Sequence, residues 1–250
     1  MSSIRQLKIM VIVTFLFSGI AFADDDSKAF MDANSLHSNG EYQKAIEIYD
    51  QLLARKKNVG ELHYNLGNSL FRNGELGKAI FHYIKAKELL PRNADVKFNL
   101  NYARSKATDK IDSQKSFFSN PGSAFKKIEL LFLTVVTSLV FWISMGVLLF
   151  RKNYYLGWIR NISLISMIIS VSLWVMVELD QKNPIVVTSE KAHVYSTIGK
   201  NAIKLFTLHE GAEGNLVEMI EDKWALFELA DGKKGWIEKA KIIYTLPEKI

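Results

Sequence analysis

The sequence contains no cysteine, which excludes disulfides, thiolate nucleophiles and thiolate metal sites. It has five histidines, His37, His63, His82, His193 and His209. None forms a His-Glu-x-x-His set and none accompanies a serine in a nucleophile elbow. No glycine-rich loop ends in Gly-Lys-Ser or Gly-Lys-Thr, so nothing offers a phosphate cradle. These absences predict a protein that is not an enzyme, with no metal and no cofactor. The formal charge of +6 is not a nucleic-acid signal. Much of the excess gathers beside apolar runs, at Arg5 and Lys8, Lys126 and Lys127, and Arg151, Lys152 and Arg160.

Those apolar runs are the first thing present. Residues 1–23 have a basic start, an apolar stretch from Ile9 to Phe17 and then Ala21-Phe22-Ala23 before three aspartates, as in a signal peptide cleaved after Ala23. An uncleaved N-terminal anchor is the alternative, and both export the chain beyond Ala23. Residues 128–150 and 158–178 are long enough to span a hydrocarbon core and almost free of charge. The loop between them, 151–157 with Arg160 just beyond, carries cations and no acid, which predicts a cytoplasmic loop. Both flanking domains are then expected on the periplasmic side of the inner membrane. A buried soluble core is the alternative for these runs, and two of them joined by one short basic loop fit it poorly.

Between the first and second runs the chain repeats itself. Asn39-Gly40 and Asn73-Gly74 lie 34 residues apart, as do Leu36 and Leu70, Ala45 and Ala79, and Tyr49 and Tyr83. That is the period of a two-helix solenoid whose units bury their apolar faces only by stacking. Copies are expected over 26–59 and 60–93, with a capping helix over 94–108 and a polar linker over 109–127. Asn65, Asn68 and Arg72 fall on one helix face by i, i+3 and i+4 spacing, and asparagine offers both donor and acceptor to a peptide backbone.

The stretch Leu66-Gly67, Leu70, Gly74, Ala79, Tyr83, Ala86 and Pro91 resembles the tetratricopeptide repeat. The resemblance implies a concave groove for extended peptides on Asn34, Tyr64, Asn65, Asn68, Phe71, Arg72, Asn99, Tyr102 and Lys106, with Phe30, Met31, His37 and Phe98 at further family positions. A carboxylate clamp known in some members is not reproduced, because its cationic positions read Phe30, Asp95 and Asn99.

Beyond Asp180 the pattern changes to short alternating strands, with Asp231-Gly232 marking a tight hairpin. About 65 residues of such strands suit a small barrel. Trp224, Leu229, Asp231-Gly232 and Gly235-Trp236-Ile237 resemble a bacterial SH3-like domain, here over 184–247. Trp224 and Trp236 fit either a ligand platform or the core, with core or half-core roles favoured because each sits in an apolar strand; His193 and Tyr195 would flank a binding surface. The fold class expected is therefore multidomain: an all-α repeat solenoid, two transmembrane helices and a small all-β barrel.

The order of signal peptide, repeats, paired spans and SH3-like domain is similar to the BatE family, the tetratricopeptide members of the Bat aerotolerance group. That resemblance implies a scaffold or adaptor in an envelope complex linked to stress, with von Willebrand A-domain membrane proteins as partners. A cell-wall sensor binding peptidoglycan through the SH3-like domain is the alternative. Glu213-Gly214-Asn215 departs from the family pattern and predicts an irregular first barrel hairpin.

Overall fold

The computed structural model describes residues 25–56, 58–109, 127–150, 154–179 and 183–245. The expected signal peptide, most of the linker, and Arg151 and Lys152 of the loop lie outside them. The described chain forms α1 (25–38), α2 (Tyr42–Arg55), α3 (Gly60–Arg72), α4 (Leu76–Leu89) and α5 (Ala94–Lys106). Two long helices come next, α6 (Lys127–Phe150) and α7 (Tyr154–Leu179). Seven strands complete it: β1 (Pro184–Val187), β2 (Lys191–Tyr195), β3 (Lys204–His209), β4 (Glu213–Ile220), β5 (Trp224–Glu228), β6 (Lys234–Glu238) and β7 (Ile242–Tyr244).

The helical pairs repeat as their sequence does. α1 and α3 both end in a six-residue closure, Glu41 N–H donating to the Leu36 carbonyl and Glu75 N–H to the Leu70 carbonyl, each at 2.9 Å. Such closures need a left-handed residue after the helix, and Gly40 and Gly74 supply it with φ of +82° and +87°. The recurring spacing of small and large residues then packs the pairs. Ala45, Tyr49, Ala79, Tyr83 and Ala86 are buried with Leu66 and Leu70 in one core. Gly67 meets the Tyr83 ring so closely that an added Cβ would lie 2.8 Å from it.

α6 and α7 pack side by side. Thr134 Oγ1 donates to Ser170 Oγ across the seam at 3.1 Å, and Ser144, Ser163 and Ser170 are buried. Many of their apolar side chains face outward, Phe132, Trp142, Ile143 and Ile162 among them. A soluble core helix would bury such residues. Both helices are long and apolar enough to cross a membrane. α7 begins at Tyr154, within the stretch expected as loop.

The C-terminal strands make one antiparallel sheet in the order β3-β2-β6-β5-β4-β1-β7. The small all-β domain is present, but β3 and β7 do not pair, so the sheet is not closed into a barrel. Asp231-Gly232 does turn the chain between β5 and β6, with Gly232 at φ +84°. Glu213-Gly214-Asn215 pairs in regular register with β1. The irregularity expected there falls instead between Leu216 and Glu218, opposite β5.

The sheet docks on the helical stack. Val186 is wholly buried in the helical core with Ala79, Ile80 and Ala107, and Ile243 of β7 packs on the same cluster. Gly77 allows the approach: a Cβ there would lie 2.2 Å from the Val187 carbonyl oxygen. In a longer solenoid the second helix of the next unit would cover this side of α4. Here β1 and β7 take that place, so the stack is capped by the sheet as well as by α5. Burying one valine in this way contributes about 1.5–3 kcal/mol.

Candidate functional site

The concave face is built on the first helices of the pairs, α1, α3 and α5. Four asparagines and two tyrosines form a ladder across it. Tyr49 Oη donates to Asn34 Oδ1 at 2.5 Å, and Asn65 Nδ2 donates to the same oxygen at 3.0 Å. One period further on, Tyr83 Oη donates to Asn68 Oδ1 at 2.8 Å, and Asn99 Nδ2 donates to it at 2.8 Å. Asn99 Nδ2 also reaches Tyr64 Oη at 3.2 Å. Each amide-to-amide link joins one helical pair to the next, so the asparagines hold the stack's register as well as lining its face. Burial raises the Tyr49 hydroxyl to about 12, and it raises Tyr83 too, with Tyr64 adding to the effect. Both stay protonated donors.

The ladder uses only half of each amide. Asn34 and Asn68 accept through Oδ1, and Asn65 and Asn99 donate through Nδ2. The opposite halves, Nδ2 of Asn34 and Asn68 and Oδ1 of Asn65 and Asn99, have no partner among the described residues. Along the stack they alternate donor and acceptor, which matches the alternating groups of an extended peptide. All four residues are half-buried, within reach of solvent.

Around this row lie apolar and cationic groups. Phe71 packs against Tyr102 with ring centroids 5.6 Å apart, Phe98 stacks on Tyr102 at 6.5 Å, and Lys106 Nζ sits 5.0 Å from the Tyr102 ring. Phe98 is 69% exposed, Met31 60% and Tyr102 47%. Arg72 is exposed, yet its charge helps hold His37, chiefly depressed by burial, below its ordinary pKa. His37 Nδ1 lies 2.8 Å from Ser69 Oγ. Of the nine residues expected to line a groove, Asn65 bonds Asn34, Asn99 bonds Asn68 and Tyr64, and Tyr102 meets Phe71 and Lys106.

A tetratricopeptide repeat model matches residues 60–93. Those residues are the helices α3 and α4 with their closing turn. Among curated proteins, no significant match to the chain is found.

Sequence reasoning missed the polar dock between stack and sheet. Arg104 makes a two-pronged ion pair with Glu213, Nε to Oε1 and Nη2 to Oε2, both at 2.6 Å. The N-cap of α4, Glu75, makes no side-chain cap bond, and Glu210 supplies one from the sheet domain: Gly77 N–H donates to Glu210 Oε1 at 2.9 Å. A carboxylate suits a helix N-terminus by hydrogen bonding and by dipole. His209 N–H donates to Asp109 Oδ2 at 2.6 Å, and its Nδ1 lies 3.1 Å from Asp109 Oδ1. The one sequence sign was His209-Glu210-Gly211, polar residues in a turn with no local task.

On the sheet, Tyr195, Trp224 and Trp236 share the face opposite the core. Tyr195 pairs with Trp236 across strands, and its ring meets Trp224 edge-on at 5.9 Å. Ala225, Phe227 and Ile237 point the other way into the core. The tryptophans are half-buried outer-face residues, not members of that core. His193 is exposed beside them on β2 and contacts Thr207 Oγ1 at 3.1 Å.

His63 and His82 do meet, across α3 and α4, with Nδ1 atoms 2.9 Å apart and rings stacked at 5.2 Å. Burial first, then the charge of His63 and Lys78, holds His82 down at about 3. His82 is thus a neutral packing residue whose ring stacks on that of His63.

Proposed function

We propose that this protein is a non-catalytic, membrane-anchored adaptor whose concave helical face holds an extended segment of another envelope protein. The observation that carries the reading is the row of half-used amides beside exposed Phe98 and Tyr102. A helical face with no partner to meet has no reason to keep both. Tetratricopeptide repeats are protein-binding modules, which supports the class of ligand. The two apolar helices would cross the inner membrane as a hairpin, with the short connection in the cytoplasm. The dock supports that topology: domains that touch must lie on one side of the bilayer, which needs an even number of spans. Both domains would then be periplasmic.

The order of parts, similar to the BatE family, supports a place in a Bat-type complex linked to oxidative or envelope stress, with von Willebrand A-domain membrane proteins as partners. A second reading, peptidoglycan binding, rests on Tyr195, Trp224 and Trp236 lying together on one open sheet face.

The test is site-specific photo-crosslinking in intact membranes from the Phe98 position. The expected product contains a von Willebrand A-domain membrane protein and disappears in Arg72→Ala/Tyr102→Ala, which leaves the asparagine ladder whole. A partner set unchanged by that variant would sink the groove. Retention of isolated peptidoglycan, lost in Trp236→Ala, would promote the second reading.

A further inference from the structure

The two edges of the open sheet are unlike. β7 lies against α4 and buries Ile243 there. β3 is the outermost strand on the other side and pairs with β2 alone among the described strands. An uncovered edge strand is a template for another strand, and proteins usually blunt or cover it. Lysines and a bulge, both usual blunting devices, are present here, yet Ile203 is 68% exposed and Leu205 48%.

The backbone shows which groups are free. His209 N–H points away from β2, since it donates to Asp109 Oδ2. Alternation then turns the Thr207 N–H and carbonyl to that same outer side. The pairing with β2 is regular from His209 to Phe206 and shifts at Leu205, which has no opposite residue and forms a bulge; its side chain folds back toward Gly235 of β6. At one end of the edge, therefore, an acidic side chain already occupies a main-chain donor. The rest is open.

Charge names what fits. From Tyr195 to His209 the chain has no acidic residue and carries Lys200 and Lys204, both exposed and without an ion pair among the described residues. A second copy would bring the same lysines against these, so self-pairing is disfavoured. We infer that β3 is a docking edge for a short extended segment of a partner protein, rich in Asp or Glu alternating with aliphatic residues, which adds a strand beside Ile203–Thr207. The main chain would give affinity, the exposed apolar residues a seat, and the lysines the preference for acid. The site is separate from the concave helical face and does not depend on it.

The experiment uses the full chain in nanodiscs of neutral lipid and an acetylated, amidated seven-residue peptide alternating glutamate with valine. Expected results are slowed hydrogen exchange over 203–207 and binding about tenfold tighter than for the peptide with lysine in place of glutamate. Methylating alternate peptide nitrogens should abolish binding. Lys204→Glu, an exposed charge reversal that leaves the fold intact, should erase the preference between the two peptides by cancelling the charge of Lys200. Equal binding of both peptides by the wild type, unimpaired binding of the methylated one, or no protection of β3 would overturn the inference. So would protection of β3 by anionic vesicles and not by peptide. Protection confined to α3 and α5 would also overturn it, while leaving the concave-face reading standing.

Discussion

The helical stack meets other groups on two sides, and the two sides are built on different principles. On the concave side the links of the ladder recur after 34 residues: Asn34 and Asn68, Asn65 and Asn99, Tyr49 and Tyr83. On the side facing the sheet nothing recurs. Gly77, Arg104 and Asp109 each meet a different residue of a different kind. The first surface belongs to the repeat and would extend with it. The second belongs to this chain alone and ends the stack.

Two glycine substitutions should break these two surfaces separately, and with the largest effects. Gly67→Ala sets a methyl 2.8 Å from the Tyr83 ring, inside the repeat. Gly77→Ala sets one 2.2 Å from a main-chain carbonyl of the sheet domain, where nothing flexible can yield. Each should cost about 1–3 kcal/mol as overpacking. Hydrogen exchange tells them apart: G67A should loosen α3 and α4, whereas G77A should expose β1 and β7 and leave α1 to α3 protected. Equal loosening of both regions by G77A would mean that stack and sheet fold as one cooperative unit.

The next pair is polar. Asn68→Ala leaves the half-buried Tyr83 hydroxyl and the Asn99 amide without their shared acceptor, and should lower stability by about 1–2 kcal/mol in urea unfolding. Arg104→Ala removes a bidentate pair whose side chains are 39% and 28% exposed. Water screens it, so about 1 kcal/mol or less is expected, read as increased proteolysis between the domains.

This contrast also decides what was legible in the sequence. The turns at Gly40 and Gly74 and the burial of Tyr49 and Tyr83 stem from a period that any two copies display. That the asparagines bond to one another was less visible, although the same spacing of Asn34 to Asn68 and Asn65 to Asn99 carries it. The dock left almost no trace. Asp109 and His209 come together across 100 residues, and a pair that occurs once has no second instance to reveal it. Alternation located the strands, but it says nothing of whether the two outermost strands of the sheet pair, and here they do not. For Trp224 and Trp236 an apolar strand suggested core or half-core roles, and register puts them on the half-buried outer face.

Acid should act on the helical side first. The folded state holds His82 neutral with a pKa near 3, against the ordinary 6.5. Unfolded chains therefore take up a proton that the folded ones refuse. The stability involved is complete above pH 6.5 and is lost progressively as pH falls from there toward 3. His82→Leu should flatten the fall in urea midpoint between pH 7 and pH 4.5 relative to the wild type, whatever its absolute stability. An unaltered slope would assign the acid sensitivity to carboxylates elsewhere.

The smallest expected effect tests whether recurrence itself signals energy. Lys44 bonds Glu41 at 2.6 Å and Lys78 bonds Glu75 at 2.5 Å. These pairs are again 34 residues apart, at the same place on α2 and α4. They are as periodic as the asparagine ladder, but they sit in water, with the lysines 69% and 49% exposed. Water and salt screen ion pairs of this kind. Lys44→Ala and Lys78→Ala should each leave the urea midpoint near that of the wild type, and nearer still in high salt. Asn68→Ala, on an equally periodic link, should shift it several-fold more than either. If the lysine variants matched it, the repeat's stability would lie in its surface charges, and the half-buried ladder would be free to turn wholly toward a ligand.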